Sequence, residues 1–101
     1  MNFSQLYGRT FVLSPSPVVE LNRAVAVSMA FGPETGLELV DALTSNRMLE
    51  NYHLLPSVRG DLLVKLGRVA EARLEFERAA ALTQNGRERE LLLKRASASI
   101  T

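Results

Sequence analysis

Few side chains in this sequence could carry chemistry. His53, next to Tyr52, is the single imidazole. Neither a cysteine nor a serine–base arrangement accompanies it, so nucleophilic catalysis has no constellation to rest on. A histidine at a helix start, making a local hydrogen bond, is the expectation. The absence of cysteine removes disulfides and thiolate metal sites, and one histidine does not make a His-based metal site. Glu34, Glu38 and Asp41 recur at helical steps. Paired carboxylates do acid–base work only inside a cleft that shifts their pKa values, and a charge run on the outer side of an amphipathic helix is expected to be a solvated face. Arg87, Arg89, Lys94 and Arg95 give the last helix a basic look, but Glu88 and Glu90 interrupt it and no aromatic residue lies nearby for base stacking. The glycines at 32, 36, 60, 67 and 86 form no phosphate-binding GxGxxG or Walker pattern. No enzyme activity, no cofactor and no direct nucleic-acid contact are expected.

The elements that would position these side chains read as helices throughout. Between Leu55 and Leu82, Leu55, Val58, Leu62 and Leu66 recur at three- and four-residue steps, and Val69, Ala72, Phe76 and Ala79 do so after Gly67. Gly67 sits where a helix ends in a left-handed residue. Small Gly60, Ala72 and Ala79 facing bulky Leu63 and Phe76 predict two closely packed helices, the size pattern of a tetratricopeptide repeat. Upstream, Ser16–Pro17 reads as a helix start with serine as N-cap. The helix from Pro17 to about Ala30 is apolar nearly all round and is expected to be covered on several sides. Gly32 ends it, and Pro33 opens the next, with Leu37, Val40 and Leu43 inward. Residues 44–50 read as a polar connection, Asn51 as a candidate cap for the following helix, and 86–98 as a last helix with Leu91, Leu92 and Ala96 inside. Residues 3–13 form a further candidate packing helix.

Several small, large and charged residues repeat at a constant spacing of 36: Ala24 and Gly60, Gly36 and Ala72, Val40 and Phe76, Leu43 and Ala79, Arg23 and Arg59. The expected architecture is therefore one all-α domain over 1–101. It holds tetratricopeptide-like antiparallel hairpins at 17–44 and 51–83, with 3–13 as an N-terminal packing helix and 86–98 as a cap. The result is a short right-handed α-solenoid of about six helices.

Candidate binding residues follow from that layout. Asn22 and Arg23 are polar in an otherwise apolar helix. They read first as a buried polar clamp and second as partner-recognition residues, since a buried Asn must be hydrogen-bonded. The first helix of each pair would line a concave side, presenting Ser57, Asp61 and Lys65 to a peptide. The matching Val18, Leu21, Val25 and Met29 are too apolar to face water uncovered. With 12 basic against 11 acidic residues the net charge is +1, which argues against a dedicated nucleic-acid module. No apolar run approaches the ~18–20 residues that span a bilayer, and the N-terminus MNFSQLYGRTF lacks the pattern of a signal peptide. A soluble, cytoplasmic domain is expected.

The strings LSPSPVVELNRAVAV, GPETGLELVDAL and YHLLPSVRGDLLVKLGRVAEARLEFERAAALTQNGRERELL, in that order, resemble the tetratricopeptide-like C-terminal extension of extracytoplasmic-function sigma factors of bacterial RNA polymerase. The resemblance runs from about Leu6 to Leu93. It implies a regulatory, protein-contacting role in transcription initiation, with upstream sigma-factor regions or RNA polymerase as partners and self-association through an apolar face as a further outcome. The two promoter-binding regions of that family have no counterpart in this chain, so promoter contact is carried over to no residue. The alternative is a stand-alone repeat scaffold that binds a peptide of another protein.

Overall fold

The computed structural model describes residues 17–98. The candidate helix 3–13 and the Ser16 cap lie outside the described residues. Within them the chain is all-helical: α1 (Pro17–Phe31), α2 (Pro33–Leu43), α3 (Leu54–Lys65), α4 (Val69–Leu82) and α5 (Gly86–Ala98). No strand occurs among the described residues.

Two glycines make the sharp joints. Gly32 alone separates α1 from α2. Its φ of 105° lies where an L side chain is strained, and Pro33 follows at the first helical position, where its missing N–H costs nothing. At the other joint Gly67 adopts φ 78°. Its N–H donates to Val64 O at 3.0 Å, and the Arg68 N–H donates to Leu63 O at 2.9 Å. Those two bonds are the paired closures of a Schellman C-cap, so the orphan carbonyls of α3 are satisfied.

α1 packs along α2, α3 along α4 and α4 along α5, while a smaller α2–α3 contact joins the first pair to the second. A single cluster runs through all of them, with Leu21, Ala24, Val40, Leu63, Phe76 and Leu92 among its members. The close approaches occur where the size pattern places them. A Cβ on Gly60 would stand 2.8 Å from the Phe76 ring, and one on Gly36 would collide with the Ser28 side chain. Ala72 and Ala79 are fully buried.

Several expectations need correction. Residues 44–50 are not simply polar: Asn46 caps a 3₁₀ turn, Arg47–Leu49, by accepting a hydrogen bond from the Met48 N–H at 2.9 Å. The turn delivers Leu49 into the core. α3 begins at Leu54 rather than near Asn51, which places Pro56 in its first turn, where a missing N–H is tolerated. Val69 and Leu91, expected inside, are exposed: Val69 shares the arc of Ala72 and Phe76 but is the first residue of α4, and Leu91 lies about 100° round the helix from Leu92, whose arc with Ala96 is the buried one. Among the described residues α1 buries one arc, that of Leu21, Ala24 and Ser28.

Candidate functional site

The apolar residues of α1 that should have been covered divide between core and surface. Leu21 is buried and Val25 half-buried. Val18 is exposed, Met29 is 80% exposed, and Phe31 at the helix end is 76% exposed. Asn22 lies exposed within the same stripe as Val18, Val25 and Met29, since those positions repeat at helical spacing.

Asn22 and Arg23 do not form a buried clamp. Both are exposed, and one residue along a helix turns the side chain by about 100°, so they face different sides. Arg23 points over a cleft of about 230 Å³ between α1 and α2, lined with Val27, Leu39 and Ala42. Its guanidinium pairs with Glu20 at 3.6 Å, one turn back on the same helix.

The clamp expected at Arg23 is made by its repeat counterpart. Arg59 Nε donates to Asp41 Oδ1 at 2.7 Å, and Arg59 Nη1 lies 3.2 Å from Glu75 Oε2. One side chain on α3 thus ties α2 and α4 together. Burial opposes the Arg59 cation, but the hydrogen bond and charge of Asp41, with Glu75 behind, outweigh it and raise the pKa above its ordinary value. Asp41 is exposed, as Glu34 and Glu38 are and as expected, but it also serves as a structural partner of Arg59.

Ser57, Asp61 and Lys65 do not present an open polar strip. Asp61 pairs closely with Arg95 of α5, whose guanidinium also sits 4.4 Å from the centre of the Phe76 ring, within cation–π range. Ser57 is half-buried and borders a cleft of about 450 Å³ on α5, lined by Leu91, Leu92, Lys94, Arg95 and Ala98. Lys65 is exposed near the end of α3.

His53 occupies the N-cap position of α3, but its side chain does not cap it. Its Nε2 lies 3.0 Å from Glu88 Oε1 on α5, a contact across the fold rather than a local one. The same oxygen accepts from the Thr83 hydroxyl at 2.7 Å. Asn85 Oδ1 accepts from the Glu88 N–H at 2.9 Å, so Asn85 serves as the N-cap of α5. The Thr83 hydrogen bond, helped by that of His53, holds the Glu88 carboxyl below its ordinary range. Arg89 donates to the carbonyls of Ala80 and Thr83 at 3.1 and 2.8 Å, satisfying the end of α4. The basic residues of α5 thus fasten the cap: Arg89 holds α4, and Arg95 reaches α3.

This arrangement binds helices to each other, and its surface includes the two clefts and the apolar stripe described above. Among the described residues no group of three potential metal-ligating side chains converges, and no helix is long and apolar enough to cross a membrane.

Sequence reasoning missed Glu75, Thr83 and Glu88 as network members. The available signal was weak: Arg59 shares the 36-residue spacing with Arg23, but nothing in the spacing said which of the two arginines would find acids.

An uncharacterized protein of Rhizobium meliloti (strain 1021) is 49% identical to this chain over 83 residues, a match covering 82% of the chain and 19% of that protein. The chain thus spans under a fifth of the length of the curated relative it matches. No family profile matches the chain, and no solved structure does.

Proposed function

We propose that this chain is a tetratricopeptide-like regulatory domain of an extracytoplasmic-function sigma factor, acting in the cytoplasm by contacting other protein regions during transcription initiation. The observation that carries the contact is the apolar stripe of α1. Val18 and Met29, with Phe31 at the helix end, are large and exposed together beside Asn22. A clustered apolar surface rimmed by polar groups marks a protein-interaction site more often than scattered single residues do. In a tetratricopeptide-like stack, α1, α3 and α5 would line one side, which would also carry Lys65, exposed near the end of α3. The ordered sequence strings supply the sigma-factor part of the reading. A match to under a fifth of a longer protein fits a module carried within larger chains.

The partner is the preceding sigma-factor region, RNA polymerase, or both, and the domain has no catalytic role. The test titrates the chain with the promoter-binding regions of an extracytoplasmic-function sigma factor and with RNA polymerase, following binding by calorimetry. The expected result is saturable binding that Met29→Glu weakens at least tenfold and Leu93→Glu, on α5, leaves unchanged. No binding to either partner, or binding indifferent to Met29→Glu, overturns the reading. Light scattering of the chain alone should show concentration-dependent dimers that the same substitution dissolves.

A specific observation favours a second reading, peptide binding by a stand-alone scaffold. The cleft beside Ser57 combines apolar Leu91, Leu92 and Ala98 with the cations Lys94 and Arg95, a fit for an apolar side chain flanked by a carboxylate. Leu91→Glu would abolish that binding while leaving the α1 stripe intact.

A further inference from the structure

The second helical pair shows what covers the upstream side of such a pair, and on the first pair none of the described residues covers the same side. On the second pair, Arg59 meets Asp41 of the preceding helix. The preceding 3₁₀ turn delivers Leu49 beside Leu55, Pro56, Glu75 and Arg78. Stepping back by the 36-residue spacing turns Leu55, Pro56, Arg59, Glu75 and Arg78 into Val19, Glu20, Arg23, Leu39 and Ala42. Four of these, Glu20, Arg23, Leu39 and Ala42, line the 230 Å³ cleft between α1 and α2. Leu55 is buried, whereas Val19 is 55% exposed and Leu39 41% exposed. The Arg59 side chain is 21% exposed and that of Arg23 is 71% exposed. The spacing therefore identifies a seat, and it names the occupant. The position of Leu49 falls on Leu13, and that of Asp41 falls on Gln5.

We propose that the α1–α2 cleft is the docking site for residues 3–13 of this same chain, with Leu13 filling it as Leu49 fills its counterpart and the Gln5 amide oxygen accepting from Arg23. Residues 1–16 hold no acidic side chain. The contact to Arg23 is thus a neutral acceptor on a cation rather than a second ion pair, and Arg23 keeps Glu20 as its charged partner. Phe3 and Leu6, at the counterparts of Leu39 and Ala42, supply apolar surface on the same segment. The cleft lies across α1 from Met29, so this inference does not rest on the sigma-factor reading, and either can fail without the other.

The test uses the full chain, which has no cysteine of its own. A spin label on Thr10→Cys is read by NMR through the broadening it causes at Val27, Leu39 and Ala42. The expected result is strong broadening at those three residues, none at Leu91 and Leu93, and no change when the labelled chain is diluted with unlabelled protein. Adding Leu13→Asp should release the segment and restore the three signals while the helical circular dichroism of 17–98 stays intact. Absence of broadening at the cleft overturns the proposal. So does broadening that vanishes on dilution with unlabelled chain, since that outcome makes a second copy the occupant. Arg23→Ala provides a milder variant that keeps the fold: it should reduce the broadening, and an unchanged signal would remove Gln5 from the contact.

Discussion

Gly60 tests the packing argument most directly, because two effects of known size oppose each other there. Replacing a helix-interior glycine by alanine stabilises a helix by about 0.5–1 kcal/mol. At Gly60 the new methyl would stand 2.8 Å from one ring carbon of Phe76 and 3.0 Å from two others. Phe76 is 1% exposed and sits in the core with the Arg95 guanidinium over its ring. Overpacking of that kind costs about 1–3 kcal/mol. The packing loss wins, and Gly60→Ala should destabilise the fold by about 1 kcal/mol. With a urea m-value near ~1 kcal/mol/M for so small a chain, the midpoint followed by circular dichroism falls by roughly 1 M. The cause can be isolated by a double-mutant cycle. Phe76→Leu removes the colliding atoms, so Gly60→Ala in that background should cost less, with a coupling above ~0.5 kcal/mol. Gly86→Ala, with nothing within 4 Å of its Cβ, should stay within about 0.5 kcal/mol of wild type. A Gly60→Ala protein as stable as wild type, or a cycle that adds up with no coupling, would refute the reasoning.

The other predictions concern the turn, the arginine clamp and the cap. Gly36→Ala should cost more than Gly60→Ala, since its methyl also meets the Ser28 backbone at 3.0 Å and backbone cannot rotate away; urea unfolding of the two variants side by side decides it. Leu49→Ala should lose about 2–4 kcal/mol, while Met48→Ala, one residue earlier and exposed, should be near neutral. Arg59→Met should lose about 1–2 kcal/mol by leaving half-buried Glu75 and Asp41 without their cation. If added salt weakens wild type toward the variant, the charge and not the stem is responsible. For Glu88, whose folded pKa is depressed, the stabilisation is present above its ordinary value of 4.5 and disappears as pH falls through the lower folded value. Wild type should therefore lose stability more steeply than Glu88→Gln below about pH 5, and Thr83→Ala should flatten the difference.

Which parts of this fold could be read from sequence follows from what sets them. Gly67 and Gly32 were legible because a left-handed residue has a local chemical signature. Pro33 was legible because proline fits a first helical turn. Gly60 against Phe76 was legible because size complementarity recurs at helical spacing. Leu49 was not, since its burial depends on a 3₁₀ turn capped by Asn46 within a stretch whose other residues are mostly polar. Glu88 and His53 were not either. Their meeting joins the start of α3 to the first turn of α5, and no periodicity links positions on different helices. The Asp61–Arg95 contact escaped for the same reason, although it alone converts an expected open strip into a closed joint.

Arg23 and Arg59 show where repetition stops being informative by itself. The same residue at the same position in two helical pairs invites the same role, yet one is a half-buried clamp and the other an exposed cation. The difference lies in what precedes each pair. Asp41 reaches Arg59 because α2 lies upstream of it, and Glu75 reaches it from α4. At the first pair the counterpart of Glu75 is Leu39, so Arg23 has an apolar neighbour where Arg59 has an acid. A cation beside Leu39 and Val27 keeps its charge in water while its stem covers apolar surface. Its 71% exposure is what that geometry requires until another segment arrives. Charge reversal then separates the two roles. Arg59→Glu should unfold the domain, because three carboxylates would crowd between α2, α3 and α4. Arg23→Glu should leave the 17–98 fold as stable as wild type, within about 0.5 kcal/mol, and act only on what docks there. Unfolding by Arg23→Glu would mean that the arginine already works inside the fold, and the distinction between the two pairs would fall.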